Sequence, residues 1–145
     1  MPDHPMEFSN GRGIGAEVEA EVIVTRDGFS PRYDLDRSTG IVSRSGHDLE
    51  GRSIANTIMI IDRAKGGVAA GWAMDELAVR GLAPVAMIFS RLNPVFVQGC
   101  GFAGIAVVEG LQPDPLDHLT SGTWCRLFPR EGRLEVLSGE RGTSR

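Results

Sequence analysis

The strongest constraint on the fold is a pair of apolar runs that flank a helical pattern in the middle of the chain. Residues 54–62 (IANTIMIID) form a nearly continuous, β-branched run, which is typical of a strand covered on both faces. Residues 68–80 (VAAGWAMDELAVR) carry an apolar stripe at helical spacing, and Gly81 is placed to end the helix. Residues 84–89 (PVAMIF) form the second run. This order predicts a strand–helix–strand crossover with two parallel strands.

The rest of the chain has the pattern of short strands joined by turns. Residues 16–25 (AEVEAEVIVT) alternate apolar and acidic side chains, which predicts a half-buried strand with its glutamates on the wet face. Residues 123–128 and 133–137 flank a turn that contains proline and glycine, and we predict a hairpin there. Because only one good crossover exists, a compact β/α barrel-like domain is favoured over a doubly wound sheet.

The predicted domain occupies most of the chain. Residues 1–13 lack a clear periodic pattern and are expected to form a flexible N-terminal arm. The domain itself is expected over residues 14–137. The polar residues 138–145 are expected to form a flexible tail, since chain ends that bury nothing are poorly ordered.

Charge and cysteine content disfavour several classes of function. The chain has 145 residues and a net charge of −4, which disfavours binding to nucleic acid. It has no apolar stretch of about 20 residues, and its acidic start lacks the pattern of a signal peptide, so we expect a cytoplasmic protein without a membrane partner. Cys100 and Cys125 lie far apart and are expected to be plain buried thiols. No metal site is predicted in this chain.

The turn after the first apolar run is the most informative candidate site. Lys65-Gly66-Gly67 follows the carboxyl end of a predicted buried strand, where open α/β layers bind their ligands. It also opens the predicted helix, whose free N–H groups favour an anion, and Lys65 adds a positive charge. The spacing is not that of a nucleotide-binding P-loop. The sequence indicates an anion-binding turn, with an ordinary strand–helix turn carrying a solvated lysine as the alternative.

Other candidate residues carry less specific signals. His47 lies beside Asp48 in a glycine-flanked turn and is a candidate general acid or base, or a contact to a substrate carboxylate; the alternative is a capping or exposed histidine. Residues 11–15 (GRGIG) precede a strand instead of joining a strand to a helix, which disfavours a dinucleotide-binding loop. Trp72 is either a core residue or part of an interface. Since no complete catalytic set is visible, the domain is expected to supply one wall of a shared site.

An ordered series of segments resembles a known family. The segments are residues 36–41 (DRSTGI), residues 47–53 (HDLEGRS), Lys65-Gly66 after the apolar strand, Glu76-Leu77 and residues 81–84 (GLAP). In this order they resemble the small subunit, or swivel domain, of the aconitase X enzymes over nearly the whole chain. The resemblance implies an α/β fold with a single swivelling β/β/α domain, like the mobile domain of aconitase.

The same resemblance implies a hydro-lyase subunit that is not active alone. In two-subunit members a separate large subunit supplies the cysteines of an iron–sulfur cluster, and the small subunit closes over it to complete the active site. The implied reaction is the dehydration of an anionic hydroxy acid, such as mevalonate 5-phosphate or cis-3-hydroxy-L-proline. The implied substrate-binding residues are Lys65, Gly66 and Gly67, with His47 as a further polar contact.

One position departs from the family pattern. Typical members carry serines directly after the turn, one of which is thought to take the substrate proton, whereas Gly67 stands where the first serine is expected. A glycine cannot abstract a proton, so the catalytic residue of this member is not identified. Two hypotheses follow. In the first hypothesis, the chain is a dehydratase subunit in which Lys65 and the Gly66-Gly67 backbone hold a carboxylate or phosphate. In the second hypothesis, the chain is a non-catalytic binding or regulatory domain.

Overall fold

The computed structural model describes residues 7–62, 68–91, 98–101 and 103–140. The strands are β1 (Glu7–Phe8), β2 (Arg12–Ile14), β3 (Val18–Thr25), β4 (Leu35–Asp36), β5 (Ile41–Val42), β6 (Ile58–Ile61), β7 (Ala86–Phe89), β8 (Ala106–Glu109), β9 (Thr123–Phe128) and β10 (Arg133–Glu140), and the main helix is α1 (Val68–Val79). This mixed composition confirms the predicted α/β class. Within the described residues, no helix is long and apolar enough to cross a bilayer.

Eight of the strands form one mixed sheet. Its order is β1-β10-β9-β3-β6-β7-β8-β2, while β4 and β5 form a separate ribbon. The four neighbours β3, β6, β7 and β8 run parallel to one another, and the remaining pairs are antiparallel. The predicted crossover β6–α1–β7 is confirmed, with β6 and β7 parallel. The predicted hairpin is confirmed by the antiparallel pair β9 and β10.

Strand β3 connects the antiparallel and parallel parts of the sheet. Its first half, residues 18–21, pairs with β9, and its second half, residues 22–25, pairs with β6. Burial changes accordingly, because Ala20 is buried beside an exposed Glu19, whereas Val22 and Ile23 are both buried. The predicted half-buried strand is therefore correct for the first half, and the second half is covered on both faces.

Two hydrophobic clusters lie on opposite faces of the sheet. Alternate residues of β6 separate into them, with Met59 and Ile61 in one cluster and Ile58 and Ile60 in the other. The first cluster includes Met74 of α1, and the second includes residues of β9 and β10. This two-sided cover explains why the apolar run of β6 is continuous, since side chains alternate between the faces of a strand.

The helix agrees with the sequence pattern, whereas the strand before it is shorter than predicted. Gly81 has φ 74°, and the Leu82 N–H donates to Leu77 O at 2.8 Å, which closes the helix as expected. Strand β6 covers only the second half of the predicted run. Asn56 has φ 60° and turns the chain before the strand begins, a conformation that asparagine tolerates better than most residues.

Both chain ends contribute more to the fold than the sequence indicated. Phe8 is fully buried, β1 pairs with β10, and β2 pairs with β8, so the prediction of a flexible arm reaching residue 13 is wrong from residue 7 onward. The predicted tail begins too early, because β10 continues to Glu140. Very short edge strands carry no periodic signal, and their partners are far away in the sequence. Residues 1–6 and 141–145 lie outside the described residues.

The glycine-rich segment 11–15 has a packing role. The Gly11 N–H donates to Gly132 O at 3.0 Å, which brings β2 against the turn that joins β9 to β10. A Cβ on Gly13 would lie 2.6 Å from Val107 O and 2.8 Å from Pro129 O, and both of these are backbone atoms. The backbone approach therefore requires glycine at this position.

Replacing Gly13 by alanine is expected to lower the free energy of unfolding by about 2 kcal/mol, because overpacking against two backbone atoms costs about 1–3 kcal/mol. Urea denaturation followed by circular dichroism measures this change. Gly101 provides a matched control, because a Cβ there would meet only the end of the Ile14 side chain at 3.9 Å. Equal stability of the two variants would contradict the close-approach argument.

Candidate functional site

The carboxyl ends of the parallel strands form one side of the sheet, which we call the carboxyl edge. It is defined by Thr25 of β3, Ile61 of β6, Phe89 of β7 and Glu109 of β8, which are partners in register across the four strands. Loops that leave such an edge provide the ligand sites of α/β proteins. The two loops predicted to carry function, one after β3 and one after β6, both begin here.

The predicted Lys65-Gly66-Gly67 turn follows β6 and lies outside the described residues. Asp62, which precedes this turn, is among the described residues. It contacts Arg91, which follows β7. The Arg91 guanidinium donates to the two Asp62 carboxylate oxygens at 2.6 and 3.3 Å, and the Arg91 N–H donates to Asp62 O at 2.9 Å. The hydrogen bonds and the charge of Asp62 raise the pKa of Arg91. The segments that leave β6 and β7 therefore start side by side.

Two aspartates tie the long loop after β3 back to the carboxyl edge. Asp48 accepts a short hydrogen bond from the Thr25 hydroxyl and another from the Arg26 N–H at 3.0 Å. Asp27 accepts from the Asp48 N–H at 2.8 Å. The loop thus returns to the end of β3, beside β6. It holds His47, the predicted site residue of this loop, at the carboxyl edge.

His47 is buried in this loop, and both of its ring nitrogens are hydrogen-bonded. Nδ1 accepts from the Leu49 N–H at 3.0 Å, so the ring proton is on Nε2, which donates to Gly28 O at 2.8 Å. Only 2% of the side chain is exposed. The alternative of an exposed histidine is therefore wrong. Contact with substrate stays a prediction, and the geometry gives the ring a positioning role in the loop.

Asp34 is a buried organiser of the same loop that sequence reasoning missed. Its side chain is fully buried, and it accepts from the Ser30 N–H at 2.8 Å and from Arg44 Nη1 at 2.9 Å. Its carbonyl oxygen accepts from the Ser43 and Arg44 N–H groups. A lone aspartate in a turn-rich stretch gave no sequence signal, because aspartate is common in exposed turns.

The far side of the carboxyl edge is closed by the segment that follows β8. The Ser90 hydroxyl donates to Asp114 Oδ2 at 2.6 Å, and Arg26 Nη2 donates to Asp117 Oδ1 at 2.7 Å and to Leu116 O at 3.0 Å. Every aspartate described at this edge thus accepts hydrogen bonds from the protein itself. Asp62 and Asp117 also pair with arginines, which offsets the charge of these two carboxylates.

Asp27, His47 and Asp48 are the described residues whose spacing comes nearest to a metal site, with ligand atoms within 4.8 Å of one another. Both ring nitrogens of His47 are already hydrogen-bonded, to Gly28 O and to the Leu49 N–H, and each carboxylate also accepts from a backbone N–H group. A metal would have to displace these hydrogen bonds. The cluster therefore has the chemistry of a loop cross-link.

The two cysteines do not suit an iron–sulfur cluster. Cys100 and Cys125 are buried free thiols in different hydrophobic clusters, on opposite faces of the sheet. Burial raises the pKa of each thiol to about 12, whereas a metal ligand must be a thiolate. The prediction of plain buried thiols is confirmed.

Comparison with known proteins identifies the family. Residues 8–136 match the family model described as the aconitase X swivel domain. The phosphomevalonate dehydratase small subunit of Thermococcus gammatolerans is 31% identical over 134 residues, covering 92% of this chain and all of that one. The same subunit of Methanosarcina mazei is 30% identical over 142 residues, covering 97% and 98%.

The fold gives the same result. The crystal structure of Thermococcus kodakaraensis aconitase X in its holo-form matches with a TM-score of 0.84 and 29% identity, covering 92% of this chain and 99% of that chain. The swivel-domain fold that the resemblance implied is confirmed by this match. The chain therefore belongs to the aconitase X family and represents its swivel domain.

Proposed function

We propose that this chain is the small subunit of a cytoplasmic hydro-lyase that dehydrates an anionic hydroxy acid, with 5-phosphomevalonate as the first candidate substrate. The observation that carries the proposal is the match to subunits that bear the name phosphomevalonate dehydratase, which covers 92% and 97% of this chain and 100% and 98% of the two relatives. Activity then requires the large subunit as well.

The proposed role of this chain is to bind and orient the anionic end of the substrate. Lys65 supplies a positive charge, and the backbone N–H groups of Gly66 and Gly67, which precede α1 in the sequence, supply hydrogen-bond donors. Support comes from the position of the turn, which follows β6 at the carboxyl edge. His47 contributes by holding the neighbouring loop in place.

The elimination itself removes a proton from one carbon and a hydroxyl group from its neighbour. Lewis-acid assistance to the departing hydroxyl is expected from an iron–sulfur cluster of the large subunit, since Cys100 and Cys125 do not suit such a group. Gly67 has no group that accepts a proton, so the base is another residue of the complex. This chain excludes water and fixes the substrate against that base.

A second candidate is a non-catalytic binding or regulatory swivel domain. Gly67 favours it, because the family resemblance implies a serine at this position and the chain has a glycine there. Such a domain would still bind the large subunit and a small anion. It would differ only in having no turnover.

The test is to purify the chain with the large-subunit homologue of the same organism and to assay dehydration of a panel of phosphorylated and unphosphorylated hydroxy acids. We expect turnover of an anionic hydroxy acid by the complex and none by either subunit alone. Loss of turnover after iron removal, and its return after reconstitution, would assign the Lewis-acid role to the large subunit. A stable complex with an intact cluster and no turnover would favour the second candidate, and absence of any complex would contradict both.

A further inference from the structure

Two aromatic side chains are exposed next to the carboxyl edge. Trp72 is 73% exposed and Tyr33 is 72% exposed. Trp72 lies near the start of α1, which follows β6, and Tyr33 lies in the loop that follows β3, so both belong to segments that leave the sheet at the carboxyl edge. This exposure answers the question that the sequence left open, because Trp72 is not a core residue.

An exposed arginine accompanies these aromatic residues. Arg32 lies 5.5 Å from the centre of the Tyr33 ring and lines one groove together with Trp72. Arg37 in the same groove pairs with Glu76 at 3.4 Å, whereas Arg32 has no ion-pair partner within the part of the chain that the structure describes. Tryptophan, tyrosine and arginine are the residue types that carry most of the binding energy in protein interfaces.

The position of this group indicates which partner covers it. A protein that completes a site at the carboxyl edge must approach the side of the domain from which the substrate-binding turn leaves. We call Arg32, Tyr33 and Trp72 the Trp72 patch. The patch lies beside the surface that such a protein approaches. A second copy of this chain is a poorer occupant, because a two-fold contact places the same patch, with its positively charged Arg32, on both sides of one interface.

We propose that the Trp72 patch is the contact through which this chain docks on the large subunit of the dehydratase, whose surface provides an apolar cavity for the indole and a carboxylate for Arg32. The assignment rests on the proposed function, since that function supplies the partner. Docking through this patch sets the carboxyl edge, and with it the Lys65 turn, against the partner. The contact is a positioning surface and touches no substrate.

The test is a titration of the purified large subunit with the native chain and its variants, with Kd measured by calorimetry. Trp72→Ala should weaken binding about 30-fold or more, as expected when a central tryptophan is truncated. Arg32→Ala should weaken binding about tenfold at low salt, and the difference should shrink as salt rises. Since Trp72 is exposed, its variant should show the thermal unfolding of the native chain.

Two control variants match these changes elsewhere on the domain. Leu137→Ala removes a partly exposed apolar side chain from β10, in the antiparallel part of the sheet. Arg130→Ala removes an exposed arginine that, like Arg32, has no ion-pair partner among the described residues. Both controls should bind the large subunit within about twofold of the native chain, as truncations outside an interface do.

The activity of the complex separates docking from chemistry. With Trp72→Ala, turnover at low subunit concentration should fall, and it should recover when the large subunit is raised to saturation. If the native complex forms and Trp72→Ala leaves its Kd unchanged, the Trp72 patch is not the docking surface, and the proposed function stands. A native chain that dimerises alone through Trp72 also overturns it. If the native chain binds no large subunit, the proposed function fails together with the patch.

Discussion

Replacing Lys65 by alanine in the assembled dehydratase is expected to raise KM for the anionic substrate about 30-fold and to change kcat less than about threefold. A hydrogen bond to a charged group contributes about 2 kcal/mol, and each 1.4 kcal/mol corresponds to a tenfold change in affinity. Binding energy that is equal in the ground state and the transition state affects KM alone. Initial rates of dehydration over a range of substrate concentrations measure both constants.

The composition of the chain allows an independent check of the same residue. Lys65 is its only lysine, so an amine-directed reagent modifies Lys65 and the amino terminus alone. Substrate at saturating concentration should slow the modification of Lys65 and leave that of the amino terminus unchanged. Arg130→Ala serves as the control, because it removes one positive charge from the turn after β9, at the end of the sheet opposite the carboxyl edge. An unchanged KM in Lys65→Ala would remove this residue from the substrate site.

Replacing Asp34 by alanine is expected to lower the free energy of unfolding by about 3 kcal/mol, because a hydrogen bond to a charged group contributes about 1.5–3 kcal/mol and a buried donor left without its acceptor adds to the loss. The side chain is fully buried and accepts hydrogen bonds from the Ser30 N–H and from Arg44. Without it the buried Ser30 N–H keeps no side-chain acceptor, and the long loop after β3 loses its internal anchor. Chemical denaturation of the isolated chain measures the loss.

Asp36 provides the matched control for Asp34. It lies two residues further along the chain, is exposed, and accepts hydrogen bonds from the Ser38 hydroxyl at 2.6 Å and the Ser38 N–H at 2.9 Å. These hydrogen bonds lower the pKa of Asp36. Because water can replace Ser38 at an exposed carboxylate, Asp36→Ala should cost clearly less than Asp34→Ala. Equal losses would show that burial is not the cause.

The crossover was predictable because its signals are local. The alternation of β6 between two covered faces, the apolar stripe of α1 and the glycine at Gly81 all operate within a few residues of one another. The prediction of the Lys65 turn rests on the same local pattern. The segments of the family series are equally local, and they identified the family before the fold was known.

The arrangement around the carboxyl edge was not predictable, because it depends on residues distant in the sequence. Thr25 is held by Asp48, and Arg26 reaches Asp117, so the loop conformation is decided by partners that no local pattern identifies. The burial of His47 follows from this packing, as its two backbone partners lie on different parts of the loop.

The sequence by itself determined the α/β class, the crossover, the buried thiols and the family, because each follows from residue types at short spacing. The tertiary structure alone decided that residues 7–8 and 12–14 are strands, that His47 and Asp34 are buried and that Trp72 faces outward. These features depend on which distant surfaces meet. Phe8, for example, is buried only because β10 lies beside it. Such contacts stabilise the chain only when distant segments meet in the folded state, so no short stretch of sequence predicts them.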